Sequence, residues 1–140
     1  MQCQHKTISI LLIVFIVLIF SISGCKDDTV SGKPLNRNPI IFSLAVFPDV
    51  ISMADSAIVM CNAIDPDGDT LVYDWITDSR LKIKGAFANE RSLYHTHENS
   101  RIFYPDWITT QIDTPWVQCI VRDVKGGVAA KVITFIVKQE

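Results

Sequence analysis

Two hydrophobic patterns divide the chain. Residues 8–20 (ISILLIVFIVLIF) are apolar apart from Ser9, and residues 1–7 before them are polar, with Lys6 as a fixed positive charge. From residue 39 onward the pattern changes. Short β-branched and aromatic runs recur, separated by turn residues, and helical periodicity is weak. Side chains alternate between faces along a strand, so such runs predict an all-β domain. The expected strands are 39–47 (PIIFSLAVF), 56–64 (SAIVMCNAI), 70–77 (TLVYDWIT), 81–87, 101–104, 115–122 (PWVQCIVR) and 128–138. In these, Val59, Cys61 and Ala63 share one face, as do Leu71, Tyr73 and Trp75, and Val117, Cys119 and Val121. The turns carry strong turn chemistry: Asp65-Pro66-Asp67-Gly68-Asp69, and Asp123-Val124-Lys125-Gly126-Gly127.

The leading apolar core has about a dozen residues, whereas a bilayer-spanning helix needs roughly twenty. A short apolar core behind a positive start and ahead of small residues is the pattern of a secretory signal. It ends in Ser21-Ile22-Ser23-Gly24-Cys25. Ile22-Ser23-Gly24-Cys25 resembles the lipobox of bacterial lipoproteins. The resemblance implies a signal peptide over 1–24 and a lipid-bearing Cys25, which holds the protein to the membrane. Two or more acyl chains anchor stably where one does so only marginally. Residues 25–37 then form a polar, flexible tether. Lys26-Asp27-Asp28 resembles the signal that sends some lipoproteins to the outer face of the outer membrane. The expected location is therefore the bacterial outer membrane, lipid-anchored; the resemblance implies exposure at the cell surface, and an ordinary solvated tether is the competing reading.

Removing residues 1–24 removes one basic residue, Lys6, and no acidic one, so the net charge moves from −2 to −3. No basic cluster exists, which excludes a nucleic-acid footprint. Of the four cysteines, Cys3 leaves with the signal and Cys25 takes the lipid. Cys61 and Cys119 remain, in an exported setting where disulfides persist. A Cys61–Cys119 disulfide is the expectation.

Residues 38–140 are similar to an immunoglobulin-like β-sandwich of about seven strands, and more closely to bacterial PKD-type and cadherin-like modules. The resemblance is carried by Asn38-Pro39, Cys61, the DPDGD turn, Tyr73-x-Trp75, Cys119 to Asp123, and Gly126-Gly127. It implies that Trp75 is buried against the cysteine pair. Val117 stands where the tyrosine corner of immunoglobulins has Tyr, which favours the PKD-type relatives.

Three candidate sites follow. Asp65, Asp67 and Asp69 alternate on a tight turn, and in this fold Asp123 and Asn36 or Asn38 come close to them. Closely spaced carboxylates suit Ca²⁺, a hard cation taking six to eight oxygens. Turn capping by the same carboxylates is the competing reading. His95 and His97 alternate and could hold a transition metal, but ordinary exposed histidines are the expectation. Tyr94 and Trp107 are the aromatics expected at a ligand-contacting surface, while Phe103, Tyr104 and Trp116 complete the core. No catalytic constellation is present in the sequence. The expected function is a non-catalytic, lipid-anchored envelope module that binds a protein or glycan. A structural spacer or accessory subunit is the alternative, with a small metal-dependent enzyme a distant third.

Overall fold

The computed structural model describes residues 32, 35–86, 91–106, 108 and 110–139. The chain divides into two units, Met1–Pro34 and Leu35–Glu140. The signal segment, Cys25, Lys26-Asp27-Asp28 and Trp107 lie outside the described residues, as does the side chain of Tyr94.

All regular elements described are strands. They are β1 (Ile40–Phe47), β2 (Val50–Ser52), β3 (Ala57–Ile64), β4 (Leu71–Thr77), β5 (Leu81–Ile83), β6 (Ser92–Thr96), β7 (Ser100–Pro105), β8 (Ile112–Asp113), β9 (Trp116–Asp123), β10 (Val128–Thr134) and β11 (Ile136–Lys138). Two four-stranded sheets, ordered β1-β3-β7-β5 and β10-β9-β4-β6, are joined by a small sheet, β2-β11-β8. The fold is an immunoglobulin-like β-sandwich.

Strand parity explains the core. Ala57, Val59 and Cys61 of β3, Tyr73, Trp75 and Thr77 of β4, and Val117, Cys119 and Val121 of β9 are all buried. Each set occupies alternate positions, so one face of each strand supplies it. Trp75 sits at the centre, opposite Cys119 in the β4–β9 register. It meets the Phe103 ring edge-on, with centroids 6.1 Å apart and planes at 61°, a favoured aromatic geometry. Its indole N–H donates to the Glu98 carbonyl at 3.4 Å.

Three differences from the sequence pattern have local causes. The strand expected over 128–138 is two strands. β9 begins at Trp116, directly after Pro115, so its ladder with β10 ends at the Thr134–Trp116 pair. Phe135 then turns into the core, and β11 pairs in parallel with β2 and antiparallel with β8. The second difference is β6, which pairs with β4 through a register shift between Tyr73 and Trp75. There His95 has φ 55°, a left-handed backbone uncommon outside glycine. Its N–H turns onto the carboxylate of Asp74 at 2.8 Å. The third is β5, which ends at Ile83 instead of continuing to 87.

Both cysteines expected to pair lie in the core. Cys61 and Cys119 are buried free thiols, close enough for each to shift the other's protonation. The neighbouring Cys61 thiol, and then burial, push the Cys119 thiol well above the ordinary range.

Candidate cation site at one end of the sandwich

The β3–β4 and β9–β10 turns lie side by side because β4 and β9 are neighbours, with Leu71 opposite Asp123. Each turn is shaped by its first Asp. Asp65 Oδ1 accepts the N–H of Asp67 at 2.8 Å and of Asp69 at 3.1 Å. Asp123 Oδ1 accepts the N–H of Lys125 at 2.7 Å and of Gly127 at 2.9 Å. Gly68 at φ 78° and Gly126 at φ 98° supply the left-handed backbone that the reversals need. Gly127 is required for another reason. A Cβ there would overlap Asp123 Oδ2 and press on the Asn38 backbone.

The end of the tether closes the site. Asn36 Nδ2 donates to Asp123 Oδ2 at 2.9 Å. The Arg37 N–H and guanidinium bind Asp67 at 2.7 and 2.8 Å, and Arg37 also donates to the Pro66 carbonyl.

Asp65, Asp69 and Asp123 each offer a carboxylate oxygen, all within 4.8 Å of one another. Asp67 is not part of this group, which corrects the expectation of four aspartates. Its carboxylate is bound by Arg37 instead. Burial opposes the charge of Asp123, but hydrogen bonds from Asn36 and from the N–H groups of Gly127, Lys125 and Gly126 outweigh it. They hold its carboxyl below the usual range. The Arg37 N–H and guanidinium do the same for Asp67.

The donors fit a hard cation by one observation beyond their charge. Asp65 Oδ2, Asp69 Oδ2 and Asn36 Oδ1 are buried and accept no hydrogen bond, and buried polar atoms are ordinarily paired. Lys125 supplies part of the missing positive charge, with Nζ 2.8 Å from Asp69 Oδ1. Asp69 raises the affinity of that ammonium for its proton. Sequence reasoning missed Lys125, although its place in the DVKGG turn was visible.

Other candidate residues lie elsewhere. His95 and His97 are exposed, and the turned backbone at His95 breaks their alternation. Among the described residues they join no metal-ligating group. Asp74, 1% exposed, was also missed. Its Oδ2 accepts from Arg122 Nε at 2.7 Å and its Oδ1 from the His95 N–H. The one signal for it was a carboxylate in the middle of an apolar strand. This arrangement satisfies a buried charge and holds the β6 bulge.

No family model matches the chain, and no curated protein matches it by sequence. Among solved structures it is similar to the PKD1 domain of Vibrio anguillarum Epp, at 21% identity over 76% of this chain and 100% of that one, TM-score 0.46. It is also similar to a β-sandwich carbohydrate-binding module, at 17% identity over 76% of this chain and 36% of that one, TM-score 0.47. A lipoprotein from Bacteroides thetaiotaomicron is similar at 17% identity over 70% of this chain and 77% of that one, TM-score 0.42.

Proposed function

We propose that this chain is a non-catalytic binding module of the bacterial envelope. It is anchored to the outer membrane through lipid on Cys25, contacts a protein or glycan partner, and takes Ca²⁺ at its acidic end. The observation that supports this reading most is the convergence of Asp65, Asp69 and Asp123 within 4.8 Å, where three buried oxygens lack a partner. Asp65, Asp69, Asp123 and the Asn36 carbonyl would hold the ion. When bound, Ca²⁺ neutralises the carboxylates and ties the two turns together. The chain's own groups do the rest: Asn36 positions Asp123, and Arg37 keeps Asp67 aside.

The titratable groups of the opposite end are engaged in structural bonds. Arg80 joins Asp78 to Asp113, and Asp106 joins Lys82 to Arg91. This favours a scaffold that presents surfaces over one that performs chemistry.

The test is recovery of a partner. The full lipidated chain is used as bait in detergent-solubilised envelope, with and without Ca²⁺, in parallel with a glycan array. A stoichiometric protein or a defined glycan, captured more strongly with Ca²⁺, is the expected result. Silence in both assays would contradict the binding function.

A further inference from the structure

The outward face of the β1–β3 pair is unusual. Neither Ile40–Phe47 (IIFSLAVF) nor Ala57–Ile64 (AIVMCNAI) contains a charged residue. The parity that sends Val59 and Cys61 inward sends Ile58, Met60, Asn62 and Ile64 outward, and Ile58, Met60 and Ile64 are 40%, 49% and 47% exposed. In register with them lie Phe47 opposite Ile58 and Ala45 opposite Met60, which form the contiguous apolar part of the face, while the polar pair Ser43–Asn62 separates it from Ile40 opposite Ile64. Phe47 is 72% exposed. Ile102 of β7 extends the row beyond Ile58. A contiguous exposed apolar patch on a protein surface marks an interaction site.

Two observations say what covers it. The first is where the tether joins. It runs through Asn38 into β1 at Ile40, the end of the strand remote from Phe47. Cys25 is eleven positions before Asn36, and eleven extended residues reach at most about 40 Å. The second is charge. A cavity of about 320 Å³ opens beside the patch, with Ile58 and Ile102 on its apolar side and Lys84, Glu98, Ser100 and Arg101 around it. Arg101 pairs with Glu98, whereas Lys84 has no ion-pair partner among the described residues. An apolar surface rimmed by a free ammonium matches the boundary between acyl chains and lipid phosphates.

We propose that the outward β1–β3 face docks on the lipid surface to which the chain is anchored, with Phe47, Ile58 and Met60 at the acyl boundary and Lys84 at the phosphates. This rests on the lipid-anchor reading. The affinity of the face itself can be weak. A short flexible tether gives an effective concentration in the millimolar range, so a face with a millimolar dissociation constant is docked for much of the time.

The test uses the full lipidated chain in phosphatidylethanolamine–phosphatidylcholine vesicles. An environment-sensitive fluorophore is placed on Met60→Cys, or on Val132→Cys as a control on the opposite sheet. The expected result is a blue-shifted label at 60, quenched by brominated acyl chains, with the label at 132 remaining aqueous. Adding Phe47→Lys to the labelled chain should abolish the shift, with the circular dichroism of the fold unchanged. An aqueous signal at both positions would overturn the proposal. So would a label at 60 that is shielded without vesicles in a chain that sediments as a dimer, because a second copy would then cover the face. Intact mass of the membrane-extracted chain distinguishes failure of the anchor. If no acyl groups are found, the anchor reading fails, and vesicles added in excess to the unacylated chain test the face alone. A blue shift at 60 then still supports docking, and its absence overturns it.

Discussion

Asn36 and Asp123, 87 positions apart in the chain, are joined by a side-chain hydrogen bond of 2.9 Å. This bond fastens the last part of the tether to the β9–β10 turn. It also brings a buried, unpartnered carbonyl oxygen beside the carboxylates of the cation site. Asn36→Ala should lower stability by about 1 kcal/mol, the usual value of one partly buried hydrogen bond. Asp123→Ala removes acceptors from Asn36, Lys125 and Gly127 at once and should cost about 3 kcal/mol. Urea unfolding of the two variants checks the order. Equal costs would mean that the turn does not depend on Asp123.

Gly127→Ala tests close approach separately from backbone conformation. Its Cβ would displace the Asp123 carboxylate, and overpacking of this kind costs about 1–3 kcal/mol. Thermal unfolding should show the loss. A neutral substitution would show that Asp123 can move without consequence.

The carboxylates set the pH dependence. The Arg37 N–H and guanidinium hold Asp67 below the usual range. The Lys82 ammonium, then Arg91, hold Asp106 there. At Asp78 and Asp123 burial opposes the charge, and hydrogen bonds outweigh it. A depressed folded-state pKa contributes stability that is complete above the unfolded value, near 3.9. That stability is lost as pH falls through the folded value. The melting temperature should therefore hold from pH 7 to about 5 and fall below about pH 4. A melting temperature that rises on acidification would contradict these assignments.

The thiol pair makes a redox prediction. Cys61 and Cys119 already face each other in the core. We expect the protein isolated from an oxidising compartment to contain a Cys61–Cys119 disulfide and no thiol titratable in denaturant. Reducing it should lower stability by about 4 kcal/mol, from the chain-entropy value for a loop of this length. Two titratable thiols per unfolded chain would refute the bridge.

Much of this fold is legible as period-two alternation. The residues aligned in sequence at Val59 and Cys61, at Tyr73 and Trp75, and at Val117, Cys119 and Val121 are the buried ones. Short elements are less legible. β2 and β8 have three and two residues, too few for a period, and they exist because β11 offers an edge to each. The break at Phe135 depends on Pro115, which directly precedes the partner strand β9, and no local window contains it. The candidate site was legible as a cluster but not in its membership. Alternation groups Asp65, Asp67 and Asp69, yet a reversing turn is not a strand. Which carboxylates converge is decided by Arg37 on one side and by Asn36 and Lys125 on the other.

Lys125 competes with any cation at Asp69. A unit charge and a divalent ion about 4 Å apart in water-like surroundings interact by about 2 kcal/mol, twice the value for two unit charges. Lys125→Gln should therefore tighten Ca²⁺ binding by up to about thirtyfold. Unchanged affinity would place the ion away from Asp69.

The most direct measurement is calorimetric titration of the mature chain with Ca²⁺, alongside Asp69→Asn. The account predicts a saturable heat, with a dissociation constant of about 10⁻⁴–10⁻³ M as in extracellular modules. It also predicts a rise in melting temperature by linkage, with both effects weakened at least tenfold in Asp69→Asn. No heat and no thermal shift at millimolar Ca²⁺ would contradict it.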